Sequence, residues 1–133
     1  MDVRTVNPWT WQDHLQLAFS QAVDVTGAQR VLYCAGQTSV DADGRPLHPG
    51  NMEAQIGQAL DNVEAVLAHA NLTLANVVRL NYYTTNVDGF MHASAKIGAR
   101  LHAAGRIPAG TLVGVARLFH PDILVEIEAT AVA

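Results

Sequence analysis

Residues 58–85, QALDNVEAVLAHANLTLANVVRLNYYTT, decide the architecture. Together with the residues just before them, they place Met52, Ile56, Ala59, Leu60, Val63, Val66, Leu67 and Ala70 at steps of three and four, the spacing of one helical face. Asn51 offers a side-chain oxygen to the first turn, and Asn71 tolerates the left-handed conformation that ends a helix. NVVRLNYYTT, 76–85, is β-branched and aromatic and predicts a strand. Downstream, Asp88 is expected to cap a second helix that runs to about Ala104, with Phe90, Ala93, Ile97 and Leu101 inward and Gly105 as its stop. Two strands follow, Thr111–Leu118 and Ile123–Val132. The last alternates, setting Glu126, Glu128 and Thr130 opposite Val125, Ile127 and Ala129. Upstream, LAFSQAVDV (17–25) alternates and meets the Thr26-Gly27 turn signal, and RVLYCAG (30–36) is a second β-rich run. Residues 19–36 are therefore expected to form a hairpin, followed by a surface loop rich in turn formers (Asp43-Gly44, Pro46, Pro49-Gly50).

The predicted order is β-β-α-β-α-β-β. Two helices cover one face of a sheet of about five strands. The other face must be polar or buried. In a chain with 50% hydrophobic and 15% charged residues, burial against neighbouring subunits is the expected solution. The 133 residues are expected to form one domain, with residues 1–16 as an N-terminal extension. A net charge of −4 argues against a nucleic-acid surface, which needs a basic face. Cys34 is the sole cysteine, so no intramolecular disulfide forms, and its apolar strand context reads as a buried, inert thiol. No signal-peptide core and no membrane-length apolar run is present, which makes a cytoplasmic location the expectation. The six histidines, at 14, 48, 69, 92, 102 and 120, lack metal-ligand spacing, and no metal is expected. Ser20, Ser39 and Ser94 lack a nucleophile elbow. Trp9 and Trp11 are read as anchors of the N-terminal segment or, failing that, as the mouth of a cleft.

Five segments carry a family resemblance: FSQAV (19–23), CAGQTSVDADG (34–44), residues 58–85, IPAGTLVGVARL (107–118) and VEIEATAV (125–132). In this order they resemble the Rid family, also called YjgF and formerly L-PSP endoribonuclease. The resemblance implies an α/β (α+β) chorismate-mutase-like fold and a homotrimer with a central barrel, helices outside, and small-molecule clefts at the subunit interfaces. It also implies hydrolysis of reactive enamines and imines such as 2-aminoacrylate, without metal or organic cofactor. In such proteins an arginine clamps the substrate carboxylate and a glutamate near the C-terminus handles the water.

Carried over residue by residue, the arginine position after Pro108-Ala109 is Gly110, so the clamp is lost. Glycine itself reads there as a bulge or a tight strand entry. Arg117 matches a family arginine that reads as structural, and Arg106 reaches the pocket only if its loop bends back. Phe19 replaces the usual tyrosine, Ala35 a serine, Leu112 a cysteine and Ser94 an asparagine, whereas Gly36 and Gln37 are retained. Phe19, Ala35, Gly36, Gln37, Ser94, Gly110 and Leu112 are thus the expected ligand-binding set, in a more apolar cleft. Glu126 falls on the family glutamate and is the candidate catalytic residue, with His120 as a replacement acid or base. The expected activity is hydrolysis of an enamine or imine other than 2-aminoacrylate. The alternative is a trimer that binds a metabolite or partner without turnover. Ribonuclease activity ranks last on charge.

Overall fold

The computed structural model describes residues 1–14 and 18–133. Seven strands and three α-helices alternate along them: β1 (Asp2–Val6), β2 (Ala22–Thr26), β3 (Val31–Tyr33), β4 (Gln37–Thr38), α1 (Met52–His69), β5 (Val77–Thr84), α2 (Val87–Ala93), α3 (Ala95–Ala104), β6 (Ala109–Gly114) and β7 (Val125–Val132). Short 3-10 turns lie at Trp11–His14 and Leu74–Asn76. The main sheet runs β3-β7-β5-β6, with β4 also paired to β7. β5 and β6 are parallel and the other pairs antiparallel, so α2 and α3 form the crossover of a βαβ unit. Ile56, Leu60, Val63 and Leu67 of α1, Phe90 of α2 and Leu101 of α3 pack with Leu80, Val125, Ile127 and Ala129 of the sheet into one core.

The α1 signals act as read. Asn51 Oδ1 accepts from the Ala54 N–H at 3.1 Å, and Asn71 sits at φ 59° just past the helix. The second helix differs from its expectation. Asn86, not Asp88, is its N-cap, accepting from Gly89 N at 2.9 Å. It is also two helices, because Ser94 interrupts it. Ser94 Oγ donates to the Met91 carbonyl at 3.0 Å, a back-bond that competes with the helical ladder and bends the chain. Gly105 ends α3 at φ 84°.

The expected 19–36 hairpin does not form. Its two strands exist but do not pair with each other. β2 pairs with β1, in register Val3↔Val25, as a separate two-stranded ribbon. β3 pairs with the end of β7, held by Gln29 and Arg30 N–H groups that both donate to the Ala133 carbonyl at 2.8 Å. Asp2–Val6, read as part of an N-terminal extension, forms β1 and supplies β2 with its partner. Leu17, where the first alternating run was expected to start, lies outside the described residues. At the base of the ribbon Ser20 donates through its backbone N to Pro108 O (2.9 Å) and through Oγ to Ile107 O (2.6 Å), tying the segment to the start of β6.

Two strand boundaries are corrected for local reasons. β6 stops at Gly114, not Leu118, because β5, its partner, ends at Thr84 after one last bond from Val115 N to Thr84 O. β7 begins at Val125, not Ile123. Before it, the fully buried Gln55 amide takes the backbone groups, donating to Asp122 O at 2.7 Å and accepting from Leu124 N at 2.9 Å.

The sheet face away from the helices is more polar than its expected burial requires. Arg79, Asn81 and Tyr83 of β5 lie beside Glu126, Glu128 and Thr130 of β7. Asn81 Nδ2 and Tyr83 Oη donate to Glu128 Oε1 at 2.9 and 3.1 Å. Apolar side chains occur toward its edges, where Tyr33 is 80% exposed.

Candidate functional site

The expected site residues fall into two groups. Phe19, Ser94, Gly110 and Leu112 line one cavity of about 200 Å³, with Trp11, Ala18, Tyr82, Ile97 and Thr111. The break between α2 and α3 puts Ser94 and Ile97 on one wall, and β6 supplies the floor. Phe19 closes the third side, its ring 5.7 Å from that of Trp11 and inclined at 57°. Trp11 thus belongs to the cleft wall, while Trp9 is 63% exposed and anchors little. The cavity wall is mostly apolar, and among the described residues no Lys or Arg lines it.

Gly110 has a local reason. A Cβ built on it would overlap the carbonyl oxygen of Leu80 on the neighbouring strand. The two backbones approach so closely that only glycine fits without a shift, a common meaning of glycine inside a strand. The reading as a tight strand entry therefore holds. Arg106 does not stand in for the missing arginine. It donates to the Ala75 carbonyl at 2.6 Å and lines a different, larger cavity between β1 and α3.

Ala35, Gly36, Gln37 and Glu126 form the second group. β4 lies along β7 with Thr38 opposite Glu126 and Gln37 opposite Ile127, while Gln37 Nε2 folds back to the Ala35 carbonyl at 3.2 Å. Gly36 faces the Glu126 side chain. A Cβ there would lie 2.6 Å from Glu126 Cδ and 2.8 Å from its Oε2. The glycine makes room for the carboxylate. Partial burial, then the charge of nearby Glu128, raise the Glu126 pKa above the usual carboxylate value. A carboxyl held this way exchanges protons more readily near neutral pH than an ordinary one.

Within one chain the two groups stay apart. Glu126 projects from the helix-free face of β7, whereas Tyr82 and Leu112 pack toward the helices, with β5 between β7 and β6. At the usual strand spacing this is on the order of 10 Å sideways, through the sheet. His120 joins neither group. Its Nδ1 accepts from Asp122 N at 3.1 Å within its own loop. Cys34 is buried, and burial pushes its thiol pKa up, as an inert core cysteine requires. Among the described residues no three His, Cys, Asp or Glu side chains converge as metal ligands, and no helix is long and apolar enough to cross a membrane.

Ala18, Tyr82, Ile97 and Thr111 line the cavity but were not among the expected site residues, and Tyr82 is the largest of them. Strand alternation puts it on the same side as Leu80, and hence inward, but gives no sign that a cavity adjoins it.

Comparison with known proteins identifies the family. The family model described as Endoribonuclease L-PSP matches residues 14–133. A RutC family protein of Synechocystis is 35% identical over 115 residues, 86% of this chain and 85% of the relative. A 2-iminobutanoate/2-iminopropanoate deaminase of Rattus norvegicus is 31% identical over 115 residues, 86% of this chain and 80% of the relative. The crystal structure of YyfB from Yersinia pestis, a Rid-family protein of unknown function, matches with a TM-score of 0.87 at 36% identity over 100% of both chains. By the match of the family model over residues 14–133, by these relatives and by its mixed sheet backed by helices, the chain belongs to the endoribonuclease L-PSP family, the Rid or YjgF proteins.

Proposed function

We propose that this protein hydrolyses the imine or enamine form of a small uncharged compound, in clefts built between copies of the chain. The observation that carries the reading is a contrast. Gly110, where the family resemblance implies a carboxylate-binding arginine, lies in an apolar cavity, while Glu126 has a glycine-made niche and an elevated pKa. The cavity group and the Glu126 group lie on opposite faces of one sheet, so a cleft holding both draws them from two chains. A homotrimer, the assembly implied by the family resemblance, meets that need. The rat relative is described as a deaminase of 2-iminobutanoate and 2-iminopropanoate, both carboxylates. The chemistry is carried over here, and the anionic substrate is not.

In the reaction, Glu126 takes a proton from water as its oxygen adds to the C=N carbon and hands that proton to nitrogen, giving a neutral carbinolamine. The same carboxylate then takes the hydroxyl proton of the carbinolamine and passes it to nitrogen. The C–N bond breaks, ammonia leaves and a carbonyl compound remains, with no oxidant or reductant required. Losing a bidentate charged pair removes on the order of 2–5 kcal/mol of carboxylate binding, so carboxylate imines are expected to turn over at least tenfold less efficiently.

The test generates imines in situ and lets semicarbazide compete with water for them, so that a hydrolase lowers the semicarbazone yield. The neutral imine of 1-phenylethylamine, made with an amine oxidase, is expected to be hydrolysed faster than 2-iminopropanoate, made from alanine with an amino-acid oxidase. Glu126→Gln is expected to lower turnover by roughly 10²-fold. If neither imine is consumed, the protein holds its ligand without turnover. If 2-iminopropanoate is preferred, the loss of the arginine has been compensated and the assignment of a neutral substrate fails.

A further inference from the structure

Trp11 reaches the cavity from a segment of its own. β1 and the start of the 3-10 turn Trp11–His14 precede residue 14, where the family match begins. This segment is tied to the domain at several points. β1 pairs with β2 along five residues, from Asp2↔Thr26 to Val6↔Ala22. Beyond that pairing, Gln21 donates through its backbone N to Asn7 Oδ1 at 2.7 Å and through Nε2 to Gln12 Oε1 at 3.1 Å. Gln12 is buried, whereas its neighbour Trp11 is 49% exposed on the wall of the 200 Å³ cavity. The Trp11 and Phe19 rings meet at an angle and do not stack, so indole surface stays uncovered beside the cavity. Tyr82 adds a third aromatic ring to the wall, and among the described residues no charged side chain lines it.

We propose that Trp11 makes this cavity selective for a ligand carrying one flat, uncharged aromatic ring, which packs against the indole. The inference rests on the proposed function for taking this cavity as the substrate's apolar subsite, and it names the substrate class, an aryl-substituted imine. Aromatic pairs in offset or edge-to-face arrangements gain beyond the area they bury, and a saturated ring of the same size does not. The volume suits one ring, since an apolar cavity of roughly 150 Å³ in another protein accepts benzene. A wall without charge leaves the desolvation of an ionised ligand uncompensated. Selection of the ring then falls to a segment ahead of the family match, and proton transfer to Glu126 of β7.

The experiment measures binding of toluene, methylcyclohexane and benzoate to the intact protein by ligand-observed NMR. Methylcyclohexane is close to toluene in size and the more hydrophobic of the two, so burial of apolar area alone favours it. Toluene is nevertheless expected to bind tighter, and benzoate weakest. Trp11→Leu keeps an apolar side chain without the flat face. It is expected to weaken toluene by roughly threefold to tenfold, to leave methylcyclohexane within twofold, and to change Tm little because the indole is half exposed. Trp11→Phe is expected to retain most of the affinity for toluene. In a Trp9→Phe background Trp11 is the sole tryptophan, and its emission should shift to shorter wavelength as toluene displaces water from the indole. Methylcyclohexane binding as tightly as toluene, or no binding of either, overturns the inference. So does a Trp11→Leu variant that binds toluene as the parent does or weakens both hydrocarbons equally, and so does an emission unmoved at saturating toluene. Trp11-dependent selection of toluene without imine hydrolysis rejects the proposed function alone. Hydrolysis of the 1-phenylethylamine imine unaffected by Trp11→Leu rejects this inference alone.

Discussion

Gly110→Ala tests the reading of the cleft floor most directly, because two effects of opposite sign compete. Gly110 lacks a positive φ, so its backbone conformation suits any residue. On conformational entropy alone, alanine at such a site stabilises by about 0.4–1 kcal/mol, through the unfolded chain. Against this stands the Cβ, which would overlap the Leu80 carbonyl oxygen, a backbone atom in the middle of the sheet. β6 lies directly against β5 through Leu80↔Gly110, so relief requires the strands to part. Overpacking of this kind costs about 1–3 kcal/mol, occasionally more. The steric effect wins, and the net expectation is a loss of about 1–2 kcal/mol, or roughly 3–8 °C in Tm for a domain of this size. Urea titrations of parent and variant at one protein concentration measure it, since any association makes Tm depend on concentration. A variant at least as stable as the parent refutes the argument that backbone approach demands glycine. Gly110→Arg bears the same Cβ, so it is expected to lose stability and to leave hydrolysis of carboxylate imines unrestored.

Other expectations follow from the same contacts. Gly36→Ala puts a methyl where the Glu126 carboxylate lies, and a flexible side chain can yield, so turnover should fall well beyond any change in Tm; unchanged turnover would detach Glu126 from the chemistry. Gln55→Leu removes the amide that serves His48 O, Asp122 O and Leu124 N, and a loss of about 2–4 kcal/mol is expected in a urea titration. The raised pKa of Glu126 means the folded chain holds its proton to higher pH than the unfolded chain does. Its contribution to stability therefore falls as pH rises from the ordinary carboxylate range through the raised value; Glu126→Gln should flatten that part of the stability–pH curve, and an identical curve refutes the assignment. Chains carrying Glu126→Gln, refolded together with chains whose cavity is filled by Leu112→Trp, should recover up to about one quarter of parental turnover by random assembly. No recovery would place the whole site within one chain.

Where local chemistry decides, the sequence was legible. The α1 face, the Asn51 cap, the Gly105 stop and the alternation of β7 each depend on residues within a few positions of one another. What the sequence hid depends on partners distant along the chain. Nothing local tells β2 to pair with Asp2–Val6 instead of with β3, and nothing local shows that Gln55 holds the backbone before β7. The break at Ser94 was readable in principle, since a serine inside a helix can bond back to a carbonyl, but many helical serines point to solvent. For the site, resemblance supplied the positions and the structure supplied their grouping. The orphan hydroxyl of Tyr82 is a property of its surroundings, which no residue pattern contains.

The substitutions around the cleft also agree in electrostatic sign. Partial burial first, and then the charge of nearby Glu128, raise the proton affinity of Glu126. Asn81 and Tyr83 both donate to Glu128 Oε1. An anionic ligand approaching this carboxyl would meet repulsion from it and from Glu128. A neutral imine meets no such penalty, and a carboxyl of raised pKa is better suited to return a proton to departing nitrogen. Phe19 and Leu112 move the wall in the same direction by removing polar partners that a carboxylate would need. One lost arginine by itself would describe a damaged site. Its loss together with an apolar wall and a niche for Glu126 is the pattern expected of a site fitted to a different ligand.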